Sequence, residues 1–335
     1  MMRQGQRSQP ILEIAGLRVA FDDVPMLRGI DLTLARGESL GMVGESGCGK
    51  SVTWLAALGL LTRRARITGS VRLAGEELLH ASASRLDKVR GGRIAMIFQD
   101  PASALNPVHT VGDQIIEALR LHRGMDRHTA LAEARRLLDQ VGVPDAARRL
   151  KAYPHEFSGG QSQRVMIAMA LAGEPDVLIA DEPTTALDVT IQAQILELLR
   201  QIQRETGMAL VLISHDLGII GEMCERILVL YAGHIVEDLP AHRLFDQPVH
   251  PYTRGLLAAL PDLEAPRRRL PAIPGVVPNA AELPPGCLFA PRCDLRIERC
   301  GEWVTELAPL RGEARHRAAC LRAVGDSSAG EIVPA

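Results

Sequence analysis

The stretch SLGMVGESGCGKS, residues 39–51, constrains this chain more than any other. An apolar run of strand length ends in glycines, then a lysine and a serine, matching the pattern G-x-x-x-x-G-K-S. Glycines let a backbone wrap closely around phosphate, and the loop N–H groups and the following helix N-terminus supply positive dipole. Gly44, Glu45, Ser46, Gly47, Cys48, Gly49, Lys50 and Ser51 would line the anion. Lys50 would pair with the β- and γ-phosphates of a nucleotide, and Ser51 would ligate Mg²⁺. The bland alternative is a glycine-rich turn, which average residue usage produces in about one chain of this length in a hundred. Lysine here is itself selective: of 38 cationic residues only Lys50, Lys88 and Lys151 are lysines. Cys48 fits a small-residue position that does no chemistry, yet its place between Lys50 and a helix N-terminus is expected to favour the thiolate.

A strand feeding such a loop asks for an α/β core. Leu17, Val19 and Phe21 alternate, as do Ile30, Leu32 and Leu34, and IAMIF (94–98), VLIA (177–180) and ALVLIS (209–214) are short apolar runs. From about 110 to 170 the period is helical, with Leu131, Ala134, Leu138 and Val141 expected on one face. Ile191, Ile195, Leu198 and Ile202 mark another amphipathic helix. Strands alternating with helices predict a mostly parallel sheet interrupted by a helical insert. Eleven of the 21 prolines lie between Pro240 and Pro291. That shift marks a boundary, placed between residues 245 and 246. With 47% hydrophobic residues over 335 positions, one large domain and a smaller one can both be filled.

Two further stretches carry chemistry. VLIADE (177–182) ends an apolar strand in two carboxylates, Asp181 suited to Mg²⁺ and Glu182 to the base that polarises an attacking water. A strand ending in an acidic turn is commonplace, so this signal gains its weight from the phosphate loop. FSGGQ (157–161) opens an apolar helix, where Ser158, Gly159, Gly160 and Gln161 leave an uncrowded N-terminus, a second anion site. An ordinary capped helix would read the same way, and one nucleotide has no need of two such sites.

GESGCGKS, Gln99 in IFQDP, FSGGQ, VLIADEP, ALD (186–188) and ISHD (213–216) together resemble the ATP-binding cassette family, in its order and spacing over roughly residues 10–240. The resemblance implies a phosphate-loop ATPase with a RecA-like core, an antiparallel β-subdomain and a helical insert. It also implies head-to-tail pairing of two cassettes, the SGGQ of each closing over the other's ATP. Gln99 would contact Mg²⁺ and the water and report nucleotide state to a membrane partner. Asp188 would line the dimer interface and His215 would touch the γ-phosphate. Phe21 would stack on adenine, although an alternating strand offers a core phenylalanine equally well.

AYPHEFSGGQSQRVMIAMALAGEPDVLIADEPTTALDVTIQAQILELL, HPYTRGLLAALP (250–261), LPAIPGVVP (270–278) and GCLFAPRC narrow the resemblance to the dipeptide and oligopeptide permease ATPases. That branch implies a partner cassette, two transmembrane permease subunits and an external peptide-binding protein. The shorter nickel-permease ATPases are the nearest rivals, and a soluble iron–sulfur ATPase in nucleic-acid or ribosome work is the rival from another class. A net charge of −2 gives no electrostatic case for nucleic acid. The amino terminus lacks a signal-length apolar core. No apolar run approaches the roughly 18 residues of a span. The expected location is the cytoplasmic face of the plasma membrane, as a peripheral subunit.

Cys287, Cys293, Cys300 and Cys320 are spaced C-x₅-C-x₆-C-x₁₉-C. In a compartment that keeps thiols reduced, a disulfide framework is the wrong default. Buried unligated thiols are one reading. Zinc usually takes closer C-x₂₋₄-C pairs, and the common ferredoxin spacings are absent too. Wide spacing suits a cubane, and similar cysteines in peptide-permease ATPases are associated with a structural [4Fe–4S] cluster, with zinc as the alternative.

Overall fold

The computed structural model describes residues 9–185, 187–260, 272–302 and 306–324. Strand β1 (Pro10–Phe21) turns through Asp22 and Asp23, both at positive φ, into β2 (Val24–Ala35). Their alternation survives as burial, with Leu17, Val19, Ile30, Leu32 and Leu34 all inside. β3 (Ser39–Val43) is buried at every position, as expected of a strand covered on both faces, and leads to α1 (Lys50–Ala57). β4 (Ala65–Leu73), β5 (Glu76–Glu77), α2 (Ala83–Val89) and β6 (Ile94–Ile97) follow.

The expected helical insert is α3 (Pro101–Ala104), α4 (Val111–Arg123), α5 (Arg127–Gln140), α6 (Ala146–Arg149) and α7 (Gly159–Leu171). Thr110 caps α4 through its hydroxyl and Asp126 caps α5 through its carboxylate, satisfying donors the first turns leave unpaired. Leu131 was expected inside and is instead 48% exposed. The buried face of α5 runs through Ala130, Ala134, Leu137 and Leu138, so it is rotated from the expected stripe and built partly from alanines.

Next come β7 (Val177–Asp181), α8 (Val189–Thr206), β8 (Ala209–Ile213), α9 (Leu217–Met223), β9 (Arg226–Tyr231) and β10 (His234–Pro240). The proline-rich part contributes α10 (Pro251–Ala258), and β11 (Ala308–Leu310), β12 (Glu313–Ala318) and α11 (Leu321–Val324) follow it.

These elements form two compact units that interleave along the chain. Of the described residues, one unit takes those up to Leu12, then those in Thr33–Ser39 and Leu73–Ile213; the other takes those in Glu13–Leu32, Leu40–Arg72 and from Ser214 onward. In the first, β6, β7 and β8 pair in parallel, with Ile94 opposite Val177 and Val177 opposite Ala209. In the second, β3 pairs in parallel with β9, and β10, β12 and β11 continue antiparallel from β9.

One buried carboxylate organises the second unit's outer strands. Glu237 on β10 is 0% exposed and accepts from the N–H groups of Val249 and His250, the Thr253 hydroxyl and His316 of β12. It thereby ties the start of α10 and the strand β12 to β10. A buried charge is tolerated only when it is answered this fully. Among the described residues no helix is long and apolar enough to cross a membrane.

Candidate functional site

β3 delivers the chain into a loop whose glycines all adopt left-handed backbone: Gly44 at φ 148°, Gly47 at 78° and Gly49 at 107°. Space as well as conformation demands glycine at two of them. A Cβ on Gly44 would lie 2.3 Å from the Leu230 carbonyl oxygen, and one on Gly49 would lie 2.6 Å from Leu27 Cδ2. Gly49 begins α1 without a side-chain cap, so the helix N-terminus is left to whatever enters the loop. Lys50 is buried, its Nζ donating to the carbonyls of Gly44 (2.7 Å) and Glu45 (3.1 Å). Ser51 is half-buried in the first turn of α1, and Ser46 and Gly47 are exposed at the crest of the loop.

Cys48 corrects an expectation. Burial pushes its thiol up and outweighs the opposing pull of Lys50, whose Nζ lies 3.7 Å from Sγ. The group is a protonated space-filler, not a poised thiolate. Elsewhere in this unit Phe21 is half-buried at the end of β1. His215 is exposed, directly after the buried Ser214, whose Oγ accepts from the N–H of Asp216, the cap of α9.

The other unit holds the carboxylates. Asp181 is buried at the end of β7, opposite Ile213 of β8. Glu182 leaves the strand at φ 47°, a conformation costing on the order of 1–3 kcal/mol for a non-glycine residue. Its N–H donates to the Ile213 carbonyl at 2.9 Å. Its Oε2 accepts from Gln99 Nε2 and from Thr185 Oγ1, both at 2.9 Å. Gln99 therefore orients its amide nitrogen on the carboxylate, leaving its carbonyl oxygen as the donor it can offer a metal.

Ser158 caps α7 in a capping box, its Oγ accepting from the Gln161 N–H while Gln161 Oε1 accepts from the Ser158 N–H. Ser158 and Gly159 are exposed. A Cβ on Gly160 would come within 2.7 Å of Ile191 on α8, the helix capped by the exposed Asp188. Ala186 of the ALD stretch lies outside the described residues, as do residues 270–271 of LPAIPGVVP and residue 261 of HPYTRGLLAALP. A groove of about 600 Å³ on the helical insert, lined by residues including Ile116, Leu131 and Leu150, contains none of these side chains.

Sequence reasoning missed the loop's second support. Arg292 grips the Glu45 carboxylate with both terminal nitrogens, at 2.7 and 3.0 Å, and the Glu45 N–H donates to the Tyr252 hydroxyl at 2.8 Å. Tyr252 packs against Tyr231 and Phe289 at ring-centroid distances of 4.8 and 5.4 Å. The available signals were an arginine inside GCLFAPRC and a tyrosine inside HPYTRGLL, neither of which specifies a partner hundreds of residues away.

The four cysteines after residue 286 are free. Burial pushes Cys293 up to about 12 and Cys320 up to about 11, and neighbouring thiols add to both shifts. Cys320 and Cys287 raise Cys293, Cys287 and Cys300 raise Cys320, and the Cys287 N–H donates to the Cys300 carbonyl at 2.8 Å. Among the described residues no three His, Cys, Asp or Glu side chains converge closely enough to hold a single metal ion.

Known proteins supply a comparison. The profile of the family described as ABC transporter matches residues 27–185, and that of the oligopeptide/dipeptide transporter C-terminal region matches residues 236–300. A Brucella abortus (strain 2308) protein named as a peptide import ATP-binding protein is 54% identical over 88% of this chain and 90% of its own length. A Brucella melitensis biotype 1 protein of the same designation is 47% identical over 94% of this chain and 97% of its own length. Among solved structures, a dimeric ATP-binding cassette in a post-hydrolysis state with ADP and Pi superposes with a TM-score of 0.62 at 27% identity, covering 69% of this chain and 99% of that one. The cbiO1 protein of Clostridium perfringens, part of the ABC transporter complex cbiONQ, gives 0.63 at 26% identity, covering 72% and 92%.

Proposed function

This chain belongs to the ATP-binding cassette transporter family as the ATPase of a peptide importer, and from that premise we propose how its residues divide the work. Lys50 and the amides of residues 44–51 hold the β- and γ-phosphates, and Phe21 stacks on adenine. Ser51, Gln99 and Asp181 would each supply Mg²⁺ with an oxygen ligand of the kind it prefers. Bound there, Mg²⁺ would neutralise charge on the phosphates. Glu182 accepts the proton of the attacking water, Gln99 orients that water, and His215 contacts the γ-phosphate. The observation that carries this reading is the phosphate loop itself, with three left-handed glycines and a helix N-terminus lacking a side-chain cap beside Lys50.

Ser158, Gly159, Gly160, Gln161 and Asp188 close over the nucleotide of a second, homologous cassette, a reading supported by the exposure of Ser158, Gly159 and Asp188. ATP binding closes the cassette pair and hydrolysis reopens it. That cycle switches two permease subunits at the cytoplasmic face of the plasma membrane, with an external peptide-binding protein delivering cargo. Residues 1–245 form the ATPase domain and residues 246–335 the extension that marks the peptide-permease branch. We also propose that Cys287, Cys293, Cys300 and Cys320 hold a structural [4Fe–4S] cluster, with zinc as the alternative. A single Zn²⁺ needs its sulfurs about 2.3 Å from one point, whereas a cubane takes them at separate corners. The wide C-x₅-C-x₆-C-x₁₉-C spacing supports the larger group.

Affinity purification from detergent-solubilised membranes tests the assignment. It should recover integral permease subunits and a second cassette; recovery of ribosomes or DNA without any membrane protein would overturn it.

A further inference from the structure

We propose that Arg292 and Tyr252 are positioning residues of the phosphate loop, through which the carboxy-terminal extension sets the chain's affinity for nucleotide. This rests on the loop being the ATP site.

Glu45 poses a problem that the extension solves. It places a carboxylate in a loop built to receive a polyphosphate, where like charge would repel the ligand. The Arg292 guanidinium answers that charge in the fork geometry that fits a carboxylate best. The arginine is itself committed. Its side chain is 4% exposed, its Nε donates to the Pro274 carbonyl at 2.8 Å, and it lies over the rings of Tyr231 and Phe289. So enclosed, it is not aimed at a phosphate, and its action on the ligand passes through Glu45.

Tyr252 secures the same residue from its backbone side, taking the Glu45 N–H on a hydroxyl whose ring is fully buried. The two contacts fix both ends of Glu45, whose carbonyl, with that of Gly44, holds Lys50 Nζ. The brace thus acts on the two loop residues that orient the lysine. A loop held in its receiving shape binds more tightly because less ordering remains to be done on association. The brace acts on the loop, while Glu182 is held by Gln99 and Thr185, so the expected effect is on binding and not on turnover.

Steady-state ATPase kinetics of the full chain, or of the assembled importer, test this. Arg292→Met should raise KM for ATP about tenfold with kcat within about twofold, the pattern of lost uniform binding. Arg292→Lys, which keeps charge and loses the fork, should fall between. In the double variant Glu45→Gln/Arg292→Met, KM should return to that of Glu45→Gln alone, because the unanswered charge is gone. A double variant as impaired as Arg292→Met, or a fall in kcat at unchanged KM, would make Arg292 a structural residue of the extension and overturn the proposal. Should Arg292→Met fail to fold, Tyr252→Phe removes one acceptor only, and its Kd for a fluorescent ATP analogue should still rise about threefold or more; an unchanged Kd refutes the brace. If the wild type neither binds nor hydrolyses ATP, the underlying assignment of the loop fails, and the brace with it.

Discussion

Glu182 sits at a left-handed backbone position immediately after a fully buried strand, held by Gln99 and Thr185. Such local strain persists only where surrounding contacts over-determine it, which suits a carboxylate that must meet one water in one place. Glu182→Gln keeps shape and hydrogen bonding and removes the base. Turnover should fall about 10²–10⁴-fold while nucleotide binding is retained, as a phosphate-release assay run beside a binding titration would read. Hydrolysis near the wild-type rate would remove Glu182 from that role. At this scale the sequence was legible wherever chemistry is written in adjacent residues: GESGCGKS and VLIADE both fall at strand ends as read. Cys48 was misread because proximity to Lys50 shows in the sequence and burial does not. Glu45–Arg292 could not be read at all, since nothing in either neighbourhood names the other.

Strands covered on both faces were the easiest elements to foresee, and β3, β7 and β8 are buried from end to end. The helix α5 was harder, because alanines carry much of its inner face and a stripe drawn through leucine points elsewhere. The entry to α10 shows what a pattern of apolar residues omits. His250 caps that helix by accepting the Tyr252 N–H on Nδ1, and Glu237 answers the backbone around it. Burial pulls His250 down to about 4 from 6.5, against the opposing effect of Glu237. Between those values the unfolded chain binds a proton that the folded chain refuses. His250's contribution is therefore complete above the unfolded value and shrinks as pH falls towards the folded one. Thermal melts over that window should slope downward with acid, and His250→Asn, which keeps a capping acceptor, should flatten the slope. An unchanged slope would point to other groups.

On the scale of the whole molecule, the α/β class and the helical insert were legible, because phosphate loop and alternating strands announce themselves, whereas the interleaving of two compact units along the chain was not. What escaped was the traffic between distant stretches, such as His316 meeting Glu237. The cluster assignment is tested at this scale. Protein purified without oxygen should be brown, with about four irons and four sulfides per chain, and Cys293→Ser should bleach it. Colourless protein with one zinc would replace the cluster, and folded metal-free protein would leave four thiols. The pairing of Arg292 with Glu45 also has a meaning in time. The two residues lie 247 positions apart. At about 5–20 residues per second, the ribosome needs on the order of ten to fifty seconds to travel from one to the other. Throughout that interval the nascent chain carries its phosphate loop with the carboxylate unanswered, so the loop is braced only once residue 292 has been made. Messages cut short before codon 292 would yield chains bearing every cassette motif and a weak grip on ATP. Tight nucleotide capture is in that sense a certificate that translation has passed residue 292.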